Sequence, residues 1–202
     1  MPLRKTINDI QSPSETRARF STGSLLRTMA ILALGYVMLL SYLHYNRDAD
    51  IQAIDIRDPD LQQLFGGPEG ASTLKYADRV EASLVDKPTY TKEKTIGLLQ
   101  YPITKGPISA SNSDANALKR TLLDKHSYLW NVHADCKPVY GVRLDFIRRD
   151  HRVSLLVCLE CDTLRTYLDG KFAADKDFGT RTIGRVVLSL FPDDPKIKPW
   201  VN

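Results

Sequence analysis

The stretch VYGVRLDFIRRDHRVSLLVCLEC, residues 139–161, is predicted to form a β-hairpin. In its first half apolar residues alternate with Arg143 and Asp145, which is the period of a strand with one buried face. Those apolar residues are Val142, Leu144 and Phe146. The second half is more uniformly apolar and is typical of a central strand. We therefore predict strands at Val139–Arg148 and Val153–Cys161, joined by the polar residues 149–152.

Further elements are predicted on both sides of this hairpin. The order is strand, strand, helix, the hairpin, a third adjacent strand and a final helix. The flanking elements are a strand over 74–84, a strand over Thr95–Thr104, a helix from Asn112 or Ser113 to about Asp124, a strand at Leu164–Leu168 and a helix near Phe178–Phe191. Strands joined by short turns favour an antiparallel meander. We predict an α+β fold, an antiparallel sheet of about five strands with two helices.

An apolar segment precedes this domain. Residues 28–45 read TMAILALGYVMLLSYLHY and contain no Lys, Arg, Asp or Glu. With Leu25 and Leu26 they are long enough to cross a hydrocarbon core of ~30 Å as a helix. The charged leader exceeds twenty residues and no small-x-small cleavage site follows, so an uncleaved anchor is favoured over a signal peptide. The sequence predicts one transmembrane helix over 24–45.

Charge distribution sets the expected orientation. The chain of 202 residues has a net charge of +4, and residues 1–27 hold +3 of it, from five basic and two acidic side chains. The excess of basic residues before the apolar segment predicts an N-terminus in the cytoplasm. A nucleic-acid-binding domain would carry this charge on its folded part, so no nucleic-acid partner is expected.

These features divide the chain into four parts. We expect a cytoplasmic tail (1–23), a transmembrane helix (24–45), a juxtamembrane linker interrupted by Asp-Pro-Asp and Gly-Gly-Pro (46–72), and a globular α+β domain (73–202). The domain is expected outside the cytoplasm, at the cell envelope. The expected partners are membrane lipid around 24–45 and an envelope protein.

Three cysteines and one histidine form the only constellation with metal-site spacing. His133 and Cys136 are three apart, and so are Cys158 and Cys161. Two such pairs could hold zinc in a tetrahedral structural site. Against zinc, residues three apart on a regular strand point to opposite faces, so the second pair needs a tight turn. Buried, reduced cysteines that act as small core residues are a further alternative.

A disulfide is the third alternative, and an oxidising compartment would favour it. Counting back from a hairpin turn centred between Asp150 and His151 places Cys161 opposite Tyr140 and Cys158 opposite Arg143. Cys136 then lies one short step beyond Tyr140. The counting therefore indicates a Cys136–Cys161 disulfide, with Cys158 as the free core thiol. In the chain-entropy model a loop of this length stabilises a domain by about 3 kcal/mol.

No catalytic group is predicted. His126, His133 and His151 have no serine or carboxylate in a recognised nucleophile motif, and Asp193-Asp194 stands in a sequence typical of a turn that ends a helix. The Cys158-Leu-Glu-Cys161 motif follows a strand, whereas thioredoxin-type chemistry needs it at a helix N-terminus. No cofactor other than zinc is suggested.

From Leu74 to its end the chain resembles an uncharacterised family of bacterial proteins. The resemblance is carried by four short motifs: Arg79-Val80-Glu81-Ala82, Cys136-x-Pro138, Cys158-Leu159-Glu160-Cys161 and Phe191-Pro192-Asp193-Asp194. It implies a bacterial source and a single fold for this part of the chain, and it implies no activity. The sequence thus favours a membrane-anchored, non-enzymatic binding or accessory module. The alternative is an envelope enzyme, or a redox or zinc protein, that uses the three cysteines.

Overall fold

The structure is a computed structural model that describes residues 22–88, 97–130, 136–179, 181–195 and 197, without the side chains of 22–25, 28, 43–49 and 99. The chain divides into two compact units, Met1–Tyr45 and Asn46–Asn202. The first described element, α1 (Thr22–Ala53), is a helix of 32 residues that begins in the first unit and ends in the second.

In the first unit, the side chains of α1 are exposed over its apolar part. Their exposed fractions run from 47% at Leu40 to 72% at Met38. Among the helix residues whose side chains are described, no helix is both long and apolar enough to cross a membrane.

In the described part of the second unit there are four further helices, where the sequence predicted two. They are α2 (Pro59–Leu64), α3 (Pro68–Lys75), α4 (Asn112–Leu123) and α5 (Arg181–Leu190), with short 3-10 turns at Leu98–Gln100 and Lys125–Ser127. The predicted helices over 112–124 and 178–191 are confirmed as α4 and α5. The N-cap of α4 is Ser111, whose hydroxyl accepts a hydrogen bond from the Asp114 N–H at 3.2 Å.

Six strands form one antiparallel sheet in the order β2-β1-β3-β4-β5-β6. The strands are β1 (Arg79–Val85), β2 (Ile103–Ser109), β3 (Val142–Arg148), β4 (His151–Cys158), β5 (Thr163–Leu168) and β6 (Lys171–Asp177). The α+β class and the antiparallel sheet are confirmed. The sheet has six strands rather than about five, because Lys171–Asp177 pairs along β5 without the apolar alternation that marks a half-buried strand.

Two predicted strands differ from the observed ones. Residues 74–75 end helix α3, which begins with Pro68 at its first position, so β1 begins only at Arg79. The predicted strand over 95–104 gives way to the 3-10 turn at 98–100, and β2 begins at Ile103. Residues 95 and 96 lie outside the described residues.

The predicted hairpin forms as β3 and β4, with a shifted register. Arg148 pairs with His151, so the turn consists of Arg149 and Asp150 rather than lying between Asp150 and His151. Arg149 takes the left-handed conformation, with φ 52°, that a two-residue hairpin turn requires. Arg143 consequently pairs with Leu156 and not with Cys158.

The main core lies between one face of the sheet and helices α2–α5. It includes Leu61, Leu64 and Phe65, all within 46–72, where the sequence predicted a linker. The linker prediction relied on Asp-Pro-Asp and Gly-Gly-Pro as interruptions. In the structure Pro59 and Pro68 instead stand at the first positions of α2 and α3, where a missing N–H costs nothing.

The opposite side of the sheet, here called the second face, has a smaller core. It consists of Val85, Leu98, Tyr101, Tyr140, Leu156, Cys158, Cys161 and Tyr167. Leu98 and Tyr101 belong to the connection between β1 and β2, so this connection contributes to the cover of the second face.

Candidate functional site

The three cysteines lie together at one end of the second face, here called the cysteine corner (Cys136, Cys158 and Cys161). Cys136 and Cys161 form a disulfide, with their Cα atoms 5.8 Å apart. Cys136 comes before β3 and Cys161 directly after β4, and antiparallel neighbours bring these two ends together. This is the pair that the sequence indicated, and Cys158 is the free, buried thiol.

A four-residue turn, Leu159–Asp162, shapes the cysteine corner. Cys158 and Thr163 form the last pair of β4 and β5, so Cys161 lies in the turn and the alternation of strand faces does not apply to it. The Cys161 N–H donates a hydrogen bond to Cys158 Sγ at 3.3 Å. Asp162 closes the turn with φ 50°. The turn therefore holds the backbone of Cys161 against the Cys158 sulfur.

The two cysteines of the motif are shielded from water, and the third is not. Cys158 is 0% exposed and Cys161 7% exposed, whereas Cys136 is exposed. The hydroxyl of Thr163 lies 3.0 Å from Cys161 O and 3.1 Å from Asp177 Oδ1, which ties the turn to β6. An external reagent therefore meets the corner first at Cys136.

Two of the four candidate zinc ligands, Cys136 and Cys161, are joined in a disulfide. Zinc binds thiolates, and the sulfur atoms of Cys136 and Cys161 are bonded to each other. His133 lies outside the described residues. Within the described part of the chain, no group of three or more His, Cys, Asp and Glu side chains is placed to hold a metal ion.

Farther along the second face, two residues of β3 form a buried ion pair that is hydrogen-bonded to β4. The carboxylate of Asp145 accepts the Arg143 Nε–H, with distances of 3.1 Å to Oδ1 and 2.9 Å to Oδ2, and accepts the Ser154 hydroxyl at 2.5 Å. The side chains of Arg143 and Asp145 are only 9% and 5% exposed. Arg143 and Asp145 are two residues apart on β3, so their side chains lie on the same face of the sheet. This spacing could have predicted the ion pair from the sequence.

A second arginine–carboxylate pair joins β5 to β6 on the same face. Arg165 donates two hydrogen bonds to Asp175, at 2.7 and 2.8 Å. Its guanidinium also lies 5.2 Å from the centre of the Tyr140 ring and 5.7 Å from that of Phe172, within the range of cation–π attraction. The Asp175 hydrogen bonds raise the pKa of Arg165, and burial raises the pKa of Tyr140.

A small apolar cavity of about 180 Å³ lies at the end of the sheet that carries the cysteine corner. Its walls include Val85, Val142 and Val157, and Glu160 and Asp194 supply its carboxyl groups. Typical small-molecule sites are about 300–1,000 Å³. The cavity is below that range, and none of the three cysteines lines it.

His126, His151 and the Asp193-Asp194 pair lie on separate elements of the fold. His126 is exposed in the 3-10 turn after α4, and Asp194 lies in the turn after α5, where its N–H donates to Phe191 O at 3.2 Å. His151 begins β4, with Nδ1 3.0 Å from Asp169 and Nε2 3.7 Å from Glu69.

Comparisons with known proteins give no match: no protein-family model, no curated protein and no solved structure is similar to the chain.

Proposed function

We propose that the chain is a single-pass membrane protein whose second unit, residues 46–202, is held at the outer side of the membrane as a binding or accessory module. Residues 24–45 are the anchor, and the N-terminal tail lies in the cytoplasm. The observation that carries this proposal is the exposure of apolar side chains on every side of α1 between Leu26 and Tyr42.

The length of the uncharged part of α1 and its unbroken helical backbone support the anchor. Residues 29–42 contain no charged side chain and would cover about 21 Å as a helix. The flanks within 24–45, which include Arg27 near the N-terminal end, extend that length to about 33 Å, which matches a hydrocarbon core of ~30 Å. The helix runs unbroken from Thr22 to Ala53, so its backbone polar groups would be satisfied within lipid.

The location of the domain is supported by the Cys136–Cys161 disulfide. Structural disulfides persist in oxidising compartments and are rare in the cytosol. The basic residues before the anchor independently predict a cytoplasmic N-terminus, which places residues 46–202 on the opposite side. Two unrelated arguments therefore agree on one orientation.

The burial of two of the three cysteines supports a binding role over a catalytic one. Cys158 and Cys161 are almost fully buried, and the nearby cavity is too small for most substrates. An enzyme that used these thiols would need a cleft that reaches them. The expected partner is another protein of the cell envelope.

Membrane extraction with alkaline carbonate tests the anchor. The wild-type chain is expected to stay in the membrane pellet, and a Leu34→Lys/Leu39→Lys double variant is expected to be released, because two ammonium groups cost several kcal/mol in the bilayer centre. Leu129→Lys is the matched control, since Leu129 is 53% exposed in the second unit. A wild-type chain that is released as an oligomer would mean that α1 packs against copies of itself.

Protease added outside spheroplasts tests the orientation. The second unit should be digested and an epitope before residue 23 spared. A reporter fused after Asn202 that works only in the cytoplasm would contradict the proposed side.

A further inference from the structure

The cysteine corner contains a third sulfur, and the structure gives it a specific position. The Cys161 N–H is hydrogen-bonded to Cys158 Sγ at 3.3 Å. Within Cys161, this backbone nitrogen is linked to the disulfide sulfur through only two atoms, Cα and Cβ. Cys158, the last residue of β4, therefore contacts the residue that supplies one sulfur of the Cys136–Cys161 disulfide.

We propose that the corner is a thiol–disulfide exchange site, in which Cys158 displaces Cys136 from Cys161 and releases Cys136 as a reactive surface thiol. The inference does not rest on the membrane anchor. It requires only the disulfide, the buried thiol and the exposed position of Cys136.

The exchange step balances within the chain. When the corner opens transiently, water takes the thiol proton of Cys158, and the resulting thiolate attacks Cys161 Sγ. The Cys158–Cys161 bond forms as the Cys136–Cys161 bond breaks, and Cys136 leaves as a thiolate that takes a proton from water. One disulfide and one thiol are present before and after, so neither an oxidant nor a reductant is needed.

The difference in burial between Cys158 and Cys136 determines which sulfur attacks and which one leaves. Cys158 is 0% exposed, so dissolved thiols and oxidants do not reach it while the domain is folded. Its accessible reaction is with the neighbouring disulfide. Cys136 is exposed and is followed by the exposed cation of Lys137, which favours the leaving thiolate. The released thiol would be the point at which the domain forms a mixed disulfide with a thiol-bearing partner protein.

Native labelling followed by peptide mapping tests the proposal. The full chain in detergent, free of reductant, is incubated at pH 8 with N-ethylmaleimide and digested with trypsin. Cys136 and the pair Cys158 and Cys161 then lie on separate peptides, 126–143 and 153–165, because Lys137 precedes proline. Exchange predicts a label on 126–143 and an internal disulfide in 153–165.

Opening of the domain without exchange gives a different product from the same chain. The label would then be on Cys158 within 153–165, with Cys136 still bonded to Cys161, and this outcome would overturn the proposal. Absence of any label over many hours under the same conditions would overturn it as well.

Two variants provide matched controls. Cys158→Ser should keep the Cys136–Cys161 disulfide and lose the labelling of 126–143 at least tenfold. Cys136→Ser, refolded from denaturant in the presence of diamide so that the oxidant reaches both sulfurs, should form the Cys158–Cys161 disulfide and show no free thiol. Two alkylatable thiols in oxidised Cys136→Ser would show that the turn does not let these sulfurs pair, and the proposal would fail.

Discussion

The two arginine–aspartate pairs of the second face differ in how much water reaches them. The Arg143–Asp145 side chains are 9% and 5% exposed, and those of Arg165–Asp175 are 23% and 40% exposed. Removing one partner of a buried pair leaves an uncompensated charge, whereas water screens a pair near the surface. The geometry of the hydrogen bonds is good in both, so burial decides their contributions to stability.

Replacing the buried carboxylate is therefore expected to be costly. Asp145→Asn should lower the free energy of unfolding by about 3–5 kcal/mol, because Arg143 remains buried without a counter-charge. Asp175→Asn, the matched control, should lower it by about 1 kcal/mol or less. Thermal unfolding by near-ultraviolet circular dichroism compares them, and equal losses would mean that the Arg143 site is open to solvent.

His151 is the histidine whose surroundings favour its charged form. The hydrogen bond to Asp169 raises its pKa, with smaller contributions from the charges of Glu69 and Asp150, while slight burial opposes them. A folded pKa above the unfolded value stabilises the fold fully below about pH 6.5. This contribution is lost as the pH rises through the folded pKa.

Asp169→Asn should therefore lower the His151 pKa and weaken the pH dependence of stability between pH 6 and 8. NMR titration of the imidazole protons measures the pKa in both proteins. An unchanged His151 titration in the variant would contradict the assignment of the Asp169 hydrogen bond.

At the scale of elements, helix α3 depends on one glycine. A Cβ added to Gly70 would lie 1.7 Å from the carbonyl oxygen of Phe65 and 2.7 Å from its carbon. Both atoms are backbone, so they cannot move aside as a flexible side chain would. The close approach lets α3 follow α2 after only three residues, Phe65–Gly67.

Gly70→Ala is accordingly expected to lower the free energy of unfolding by about 2 kcal/mol or more, through backbone displacement in a packed region. Gly141→Ala is the matched control, since its added Cβ meets no atom within 4 Å and its backbone is not left-handed. That change should lie within about 0.5 kcal/mol of the wild type. Similar losses in both variants would contradict the steric explanation.

A strand could be predicted from the sequence when burial imposes a regular pattern of apolar residues on it. β3 and β4 lie in the middle of the sheet, and their apolar residues marked them clearly. β6 is an edge strand with exposed Lys171 and Phe172, so no alternation revealed it. The turn at Leu159–Asp162 is also invisible to a period-two pattern, although it decides how the cysteines meet.

The part of the candidate site that depends only on strand topology, the disulfide, was predictable from the sequence. The pairing of Cys136 with Cys161 requires only that the start of β3 and the end of β4 meet, and a register shift of two residues did not disturb that. The position of Cys158 against the Cys161 N–H requires the turn itself. Contacts set by loop conformation are therefore the part that the sequence could not supply.

At the scale of the whole molecule, the second unit begins earlier than its sequence suggested. Leu61 and Leu64 are 2% exposed and Phe65 is 0% exposed, all in or next to α2. The ammonium of Lys75, itself 5% exposed, donates to Gln52 O at 2.8 Å and Ile54 O at 2.6 Å. These contacts bind the end of α1 and all of α2 to the domain.

Truncation at two positions tests this boundary. Residues 46–202 are expected to unfold cooperatively, and residues 73–202 are expected to be soluble only as a loosely packed chain or to aggregate. The shorter chain loses three large buried side chains, each worth about 2–5 kcal/mol when a cavity is left, against a total stability of about 5–15 kcal/mol. It also removes both carbonyl acceptors of the Lys75 ammonium and the first five residues of α3. Near-ultraviolet circular dichroism and amide proton dispersion distinguish the two states. A sharp melting transition in 73–202 at a temperature close to that of 46–202 would show that α2 covers the core without stabilising it.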